Sequence, residues 1–297
     1  MKSFPLLAAL IGTACLAMPT ASPIGNPKNK RAVKEIDLSK ILSPDTVKNE
    51  TLPHVIDTKD YLILKPFNND RLELPSSAVV FLHSESKSHS DYVSLWEDIQ
   101  TRVQNTTRLW VSFPKTFFID SRYSINWGWT IGGDLANAAF IMAKEGFDLS
   151  DASSQVFIGG HEWGAVQAID AQNVNLIRQT PVASFWFPDR SVSCKSFIAW
   201  DAPLDVTKID KPLLNIVRAI QKGSVSDMVL DAGRGKNKYV VLLSKSSPSA
   251  FTTIETDEIA GITAAFIIDQ LSEESYVERL VLEQYVNSTR QEVATWF

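Results

Sequence analysis

Histidine is scarce in this chain: its 297 residues include four, His54, His83, His89 and His161, and none lies beyond position 161. No two stand four apart, so no helix offers a metal the usual pair of imidazoles, and no metal site is expected. Cysteine is scarcer still, with Cys15 and Cys194 alone. Cys15 falls in the N-terminal apolar stretch, which leaves the mature chain without an intrachain disulfide and makes its stability depend on a packed core. The positive charges are scattered and the formal net charge is −5, a balance that argues against a nucleic-acid partner. Gly132-Gly133 and Gly159-Gly160 complete neither a dinucleotide fingerprint nor a phosphate loop, so no cofactor is expected.

Long apolar runs are also missing, apart from Phe4 to Met18, which follows Met1-Lys2 and precedes Pro19 and Pro23. With small residues at Ala14, Ala17 and Ala21 it reads as a secretory signal peptide over residues 1–21, too short for a membrane span. Residues 22–31 end in Lys30-Arg31, which resembles the kexin-type propeptide sites of fungal secreted proteins. The expected mature chain is a single domain over residues 32–297, long enough to bury a full α/β core. Asn49, Asn105 and Asn287 each open an Asn-x-Ser/Thr sequon, so an exported glycoprotein is expected.

What the chain does have is an alternation of short β-branched runs with helical stretches, the pattern of a sheet with crossover helices. Strands are predicted at Tyr61 to Leu64, Ala78 to Leu82, Leu109 to Phe113, Gln155 to Gly159, Ser196 to Trp200, Leu213 to Val217 and Tyr239 to Leu243. Helices are predicted at Tyr92 to Val103, Gly132 to Lys144, Trp163 to Asn173, Glu258 to Leu271 and Glu274 to Tyr285. Between the Gln155 strand and the Trp163 helix stands Gly160-His161-Glu162-Trp163-Gly164. Glycines two residues either side of a polar residue, at a strand-to-helix turn, are the Gly-x-Ser-x-Gly frame of a nucleophile elbow with glutamate at its centre. The eight tryptophans include Trp127 and Trp129, read as packing a glycine-containing loop onto the core.

These residues resemble the capless esterase branch of the α/β-hydrolases, near platelet-activating-factor acetylhydrolases, chlorophyllases and polyester hydrolases. The resemblance implies an α/β fold of the α/β-hydrolase type: a mostly parallel sheet flanked by helices, with no large cap domain. It places His83 and Ser84 on the oxyanion loop, with His161 and Trp163 beside the elbow. It puts Glu162 at the nucleophile position, Asp201 at the triad-acid position, and Ser247 or Pro248 where the triad histidine belongs. Gly160 to Ala165 also resembles the Gly-His-Asp-Trp-Gly-Ala elbow of soluble epoxide hydrolases, differing by one methylene.

A serine esterase needs a hydroxyl nucleophile, a base for its proton and an acid that orients the base. Glu162 removes the first, and the absence of a late histidine removes the second, because the fold's chain order is nucleophile, acid, histidine. Glu85, close to Ser84, would repel charge developing in an oxyanion hole. Ser112, Ser244, Ser246 and Ser249 lack flanking glycines and are poor replacements. The expected function is therefore that of a secreted pseudoenzyme binding a small apolar or ester-like ligand, or a protein partner. The alternative is an enzyme that uses Glu162 as carboxylate nucleophile, as epoxide hydrolases do, or as general acid or base with Asp201, as in a cyclase or lyase.

Overall fold

The computed structural model describes residues 55–68, 70–115, 138, 141–147, 155–173, 194–204, 209, 211–218, 238–243, 251–252, 257–271 and 293–296, all in the unit Ile36–Phe297. Nine strands form one sheet: β1 (Val55–Asp57), β2 (Tyr61–Leu64), β3 (Ser76–Leu82), β4 (Arg108–Pro114), β5 (Gln155–His161), β6 (Cys194–Trp200), β7 (Leu213–Arg218), β8 (Lys238–Leu243) and β9 (Val293–Trp296). Their spatial order is β1-β2-β4-β3-β5-β6-β7-β8-β9. The six strands from β4 across to β8 pair in parallel, while β1, β2 and β9 join antiparallel at the two edges.

Parallel strands need crossovers on both faces, and their side chains are consequently buried on both sides. Val79 and Phe81 of β3 face one core with Ile198 and Trp200, whereas Ala78, Val80 and Leu82 face the other with Phe197 and Ala199. The first core is closed by α1 (Val93–Val103) and α3 (Asp257–Leu271), the second by α2 (Trp163–Asn173) and the helical residues 141–144. Leu95, Trp96, Ile99 and Val103 recur at helical spacing and put one face of α1 on the sheet. Upstream of α1, the one-turn 3₁₀ helix His89–Tyr92 is capped by Ser88, whose backbone N–H donates to Asp91 Oδ2 at 2.7 Å. Buried residues run around α3 from Ile259 to Ile268, which is why its sequence is apolar all round.

The seven strands and three of the helices predicted from the sequence are present, with ends shifted by at most two residues. The remaining helical expectations fall outside the described residues, except for Ala138 and 141–144, which are helical. β1 and β9 were not anticipated. The link between β6 and β7 runs only from Asp201 to Pro212, leaving no room there for a cap domain. Phe4 to Met18, Lys30-Arg31, Asn49, Asn287, Trp127, Trp129, Ser247 and Pro248 lie outside the described residues. Among the described residues no helix is long and apolar enough to cross a membrane.

Candidate functional site

The site lies at the carboxyl ends of the parallel strands, where an open α/β sheet places its ligand crevice. β5 continues through His161, and the chain then turns at Glu162 with φ 51° before α2 begins at Trp163. The Glu162 N–H donates to Trp200 O at 2.7 Å, while Glu162 O accepts from Ala165 N at 3.1 Å and Val166 N at 3.3 Å. One residue thus ends a sheet ladder and begins a helix, and the left-handed φ is what joins them. The glycines make the turn possible. A Cβ on Gly160 would stand 2.6 Å from Ala165 N and Leu82 O, and one on Gly164 would stand 2.6 Å from Leu82 O.

β6 ends in the same manner. Asp201 has φ 49°, and its N–H donates to Ile216 O at 2.7 Å, which aims its carboxylate across the end of β7. There it meets Arg218, the last residue of that strand. Oδ1 accepts from the Arg218 backbone N–H at 3.2 Å, and Oδ2 accepts from Nε at 2.5 Å and also pairs with Nη2. Arg218 Nη2 lies 3.9 Å from Glu162 Oε1 as well. One guanidinium therefore stands between the elbow carboxylate and the acid.

His161 is 2% exposed and lies beneath the elbow, its ring 4.9 Å from that of Phe251. Its Nδ1 is 2.8 Å from Tyr92 Oη, which itself accepts from the Ser84 N–H at 3.2 Å. The Tyr92 oxygen has two acceptor sites, so the tautomer of His161 decides whether Tyr92 O–H donates to Nδ1 or Nδ1–H donates to Tyr92. Nε2 has no hydrogen-bond partner. Burial pushes His161 down to about 4, although the Asp201 carboxylate pulls the other way, and burial pushes the Tyr92 hydroxyl up to about 12. Both groups are neutral at pH 7.

His83, half-buried, has Nδ1 2.8 Å from Ser84 O and so bonds within its own loop. Ser84 is buried and holds Tyr92, whereas Glu85 is exposed. Trp163 is 51% exposed, a large apolar side chain in solvent directly after Glu162. Asn105 is exposed and its Oδ1 accepts from Arg71 Nη1 at 3.3 Å. Ser112 is fully buried inside β4, which removes it as a nucleophile.

A ring nitrogen of His161 and one carboxylate oxygen each of Glu162 and Asp201 lie within 4.8 Å of one another, a donor set of the kind divalent metals use. Arg218 offsets one of the two carboxylate charges, and a metal ion would have to approach that fixed positive charge. Arg218 and Tyr92 were not singled out in the sequence. Arg218 closes an apolar strand as a lone charge, and that was its one available signal; Tyr92 gave none, being 69 residues from His161.

No protein-family model matches the sequence, and none of the curated proteins is detectably similar to it. Solved structures do match in shape. A truncated carbohydrate esterase from gut microbiota aligns at TM-score 0.50 and 10% identity, over 71% of this chain and 90% of its own. One of two fungal esterases from Rhizomucor miehei aligns at 0.49 and 13%, over 78% and 88%. A dienelactone hydrolase from Anabaena variabilis aligns at 0.48 and 13%, over 73% and 98%. The parallel strand order, the antiparallel second strand, the elbow after β5 and the first of these likenesses together identify the architecture: this chain has the α/β-hydrolase fold.

Proposed function

We propose that this is a secreted binding protein of the α/β-hydrolase fold, in which the elbow pocket retains a small ligand and does not hydrolyse it. The observation that carries this reading is the pairing of Asp201 with Arg218. In a triad the acid orients an imidazole that accepts and returns a proton. Here Oδ2 is taken up by the Arg218 guanidinium and Oδ1 by the backbone N–H of the same residue, and neither group can accept a proton. His161 cannot substitute easily, since its ring is held under the elbow by Tyr92 and burial disfavours its protonation. Among the described residues the imidazole within 4.8 Å of Glu162 is that of His161, so no freely placed base stands ready to activate water against it.

The test is turnover of a panel of p-nitrophenyl esters and epoxides by the chain recovered from the culture medium of an expression host, beside Glu162→Gln and Glu162→Ser. No turnover above background by the wild type is the expected result. Wild-type turnover that disappears in Glu162→Gln would show the carboxylate doing chemistry and end the binding reading. A chain retained inside the host would count against export.

A further inference from the structure

We infer that the ligand of the elbow pocket is a neutral ring alcohol, with one hydroxyl bridging Arg218 and Glu162 and the ring face resting on Trp163. This rests on the binding reading above and names its ligand chemistry. The distance between Arg218 Nη2 and Glu162 Oε1, 3.9 Å, is too long for a direct hydrogen bond and suits one oxygen placed about 2.8 Å from each. Such an oxygen must accept from the guanidinium and donate to the carboxylate. A hydroxyl does both.

The Glu162 carboxylate makes no hydrogen bond within the described residues. A second group without a partner is the buried Nε2 of His161, and a ring nitrogen of that residue lies within 4.8 Å of the Glu162 and Asp201 carboxylates. The site therefore sets a guanidinium already shared with Asp201 beside a carboxylate that lacks a hydrogen bond, and charge discriminates among candidate ligands. An anion would suit Arg218 and meet repulsion from two carboxylates. A cation would suit Glu162 but face the fixed charge of Arg218. An ester or ketone carbonyl only accepts, so Glu162 would stay unpaired beside it, at the cost of desolvating a charge. A neutral group that both gives and takes a proton in hydrogen bonding avoids all three penalties.

Trp163 supplies the other half of the site. Trp163 follows Glu162 directly in the chain and leaves half of its surface in solvent, which offers a flat apolar face for the ring of the ligand. Water can bridge the clamp too, so the hydroxyl gains little by itself and the ring on Trp163 adds the rest. Millimolar affinity is the expected scale for so small a ligand. The hydroxyl could be borne by a saccharide or by an apolar ring, and the measurement separates the two.

Saturation-transfer NMR and competition on the full secreted protein would compare cyclohexanol and methyl β-D-glucopyranoside with cyclohexanone, cyclohexylammonium and cyclohexanecarboxylate. At least one alcohol should bind about tenfold or more tightly than the ketone and both ions. Binding by the glucoside alone assigns a saccharide, and binding by cyclohexanol alone an apolar alcohol. Trp163→Ala should weaken the alcohol about tenfold, and Glu162→Ala should erase its advantage over the ketone. Equal binding of alcohol and ketone by the wild type, which needs no variant to fold, would overturn the inference, as would absence of binding by either alcohol. Ester turnover dependent on Glu162, with the alcohol preference intact, would instead remove the non-hydrolytic reading and leave this one standing.

Discussion

Glu162 sits at φ 51° and Asp201 at φ 49°, a region that costs a residue with a Cβ roughly 1 kcal/mol or more. Two such residues at the ends of adjacent strands turn both carboxylates toward the same arginine. The strain is tolerated because glycine keeps the surroundings of the elbow thin. Gly160→Ala should show this directly: its methyl would meet Ala165 N, Gly164 C and Leu82 O at 2.6 Å, all backbone or carbonyl atoms that cannot rotate away. A loss of about 3 kcal/mol in urea denaturation is expected. An unchanged midpoint would mean that α2 can slide off β3 freely. At this scale the carboxylates were legible, because a glycine frame marks Glu162 and an apolar strand ending in aspartate marks Asp201. Arg218 was not legible as their partner: it lies 17 residues beyond Asp201, and only the pairing of β6 with β7 brings them together.

At the scale of elements, the central strands could be read because burial on both faces forces continuous apolar runs such as Ala78-Val79-Val80-Phe81-Leu82. The edge strands escaped for the converse reason. β1 has three residues with alternating exposure, and β9 is a four-residue segment that owes its existence to backbone pairing with β8. Neither carries a periodic signal long enough to read. β9 nevertheless covers the outer edge of β8, from Lys238 to Val241, which would otherwise expose unpaired N–H and C=O groups on an apolar parallel strand. Deleting residues 293–297 should therefore lower stability and produce concentration-dependent association in size-exclusion chromatography. If the truncated protein eluted in the same association state as the full chain and were as stable, β9 would be ornamental to the sheet.

For the whole molecule, the buried Tyr92–His161 pair couples the site to global stability through pH. His161 titrates near 6.5 when unfolded and at about 4 in the folded protein, chiefly because burial penalises its charged form. Between those values the unfolded chain binds the extra proton, so stability falls as pH falls. The contribution is intact above about pH 6.5, erodes down to about pH 4 and is gone below it. A depression from about 6.5 to about 4 corresponds to roughly 3 kcal/mol for a group this deeply buried. Carboxylates titrate in the lower part of the same window, so the readout is a difference. His161→Gln offers Tyr92 an acceptor oxygen and does not titrate, and its unfolding free energy should lose the part of the pH dependence that the wild type shows between pH 4 and 6.5. Parallel curves for the two proteins would mean that His161 becomes charged without unfolding the elbow, which requires Asp201 or Glu162 to approach Nε2 and Arg218 to give way. The packing argues against that: the ring lies between Tyr92 and Phe251, and Asp201 is already committed to Arg218 through both of its oxygens.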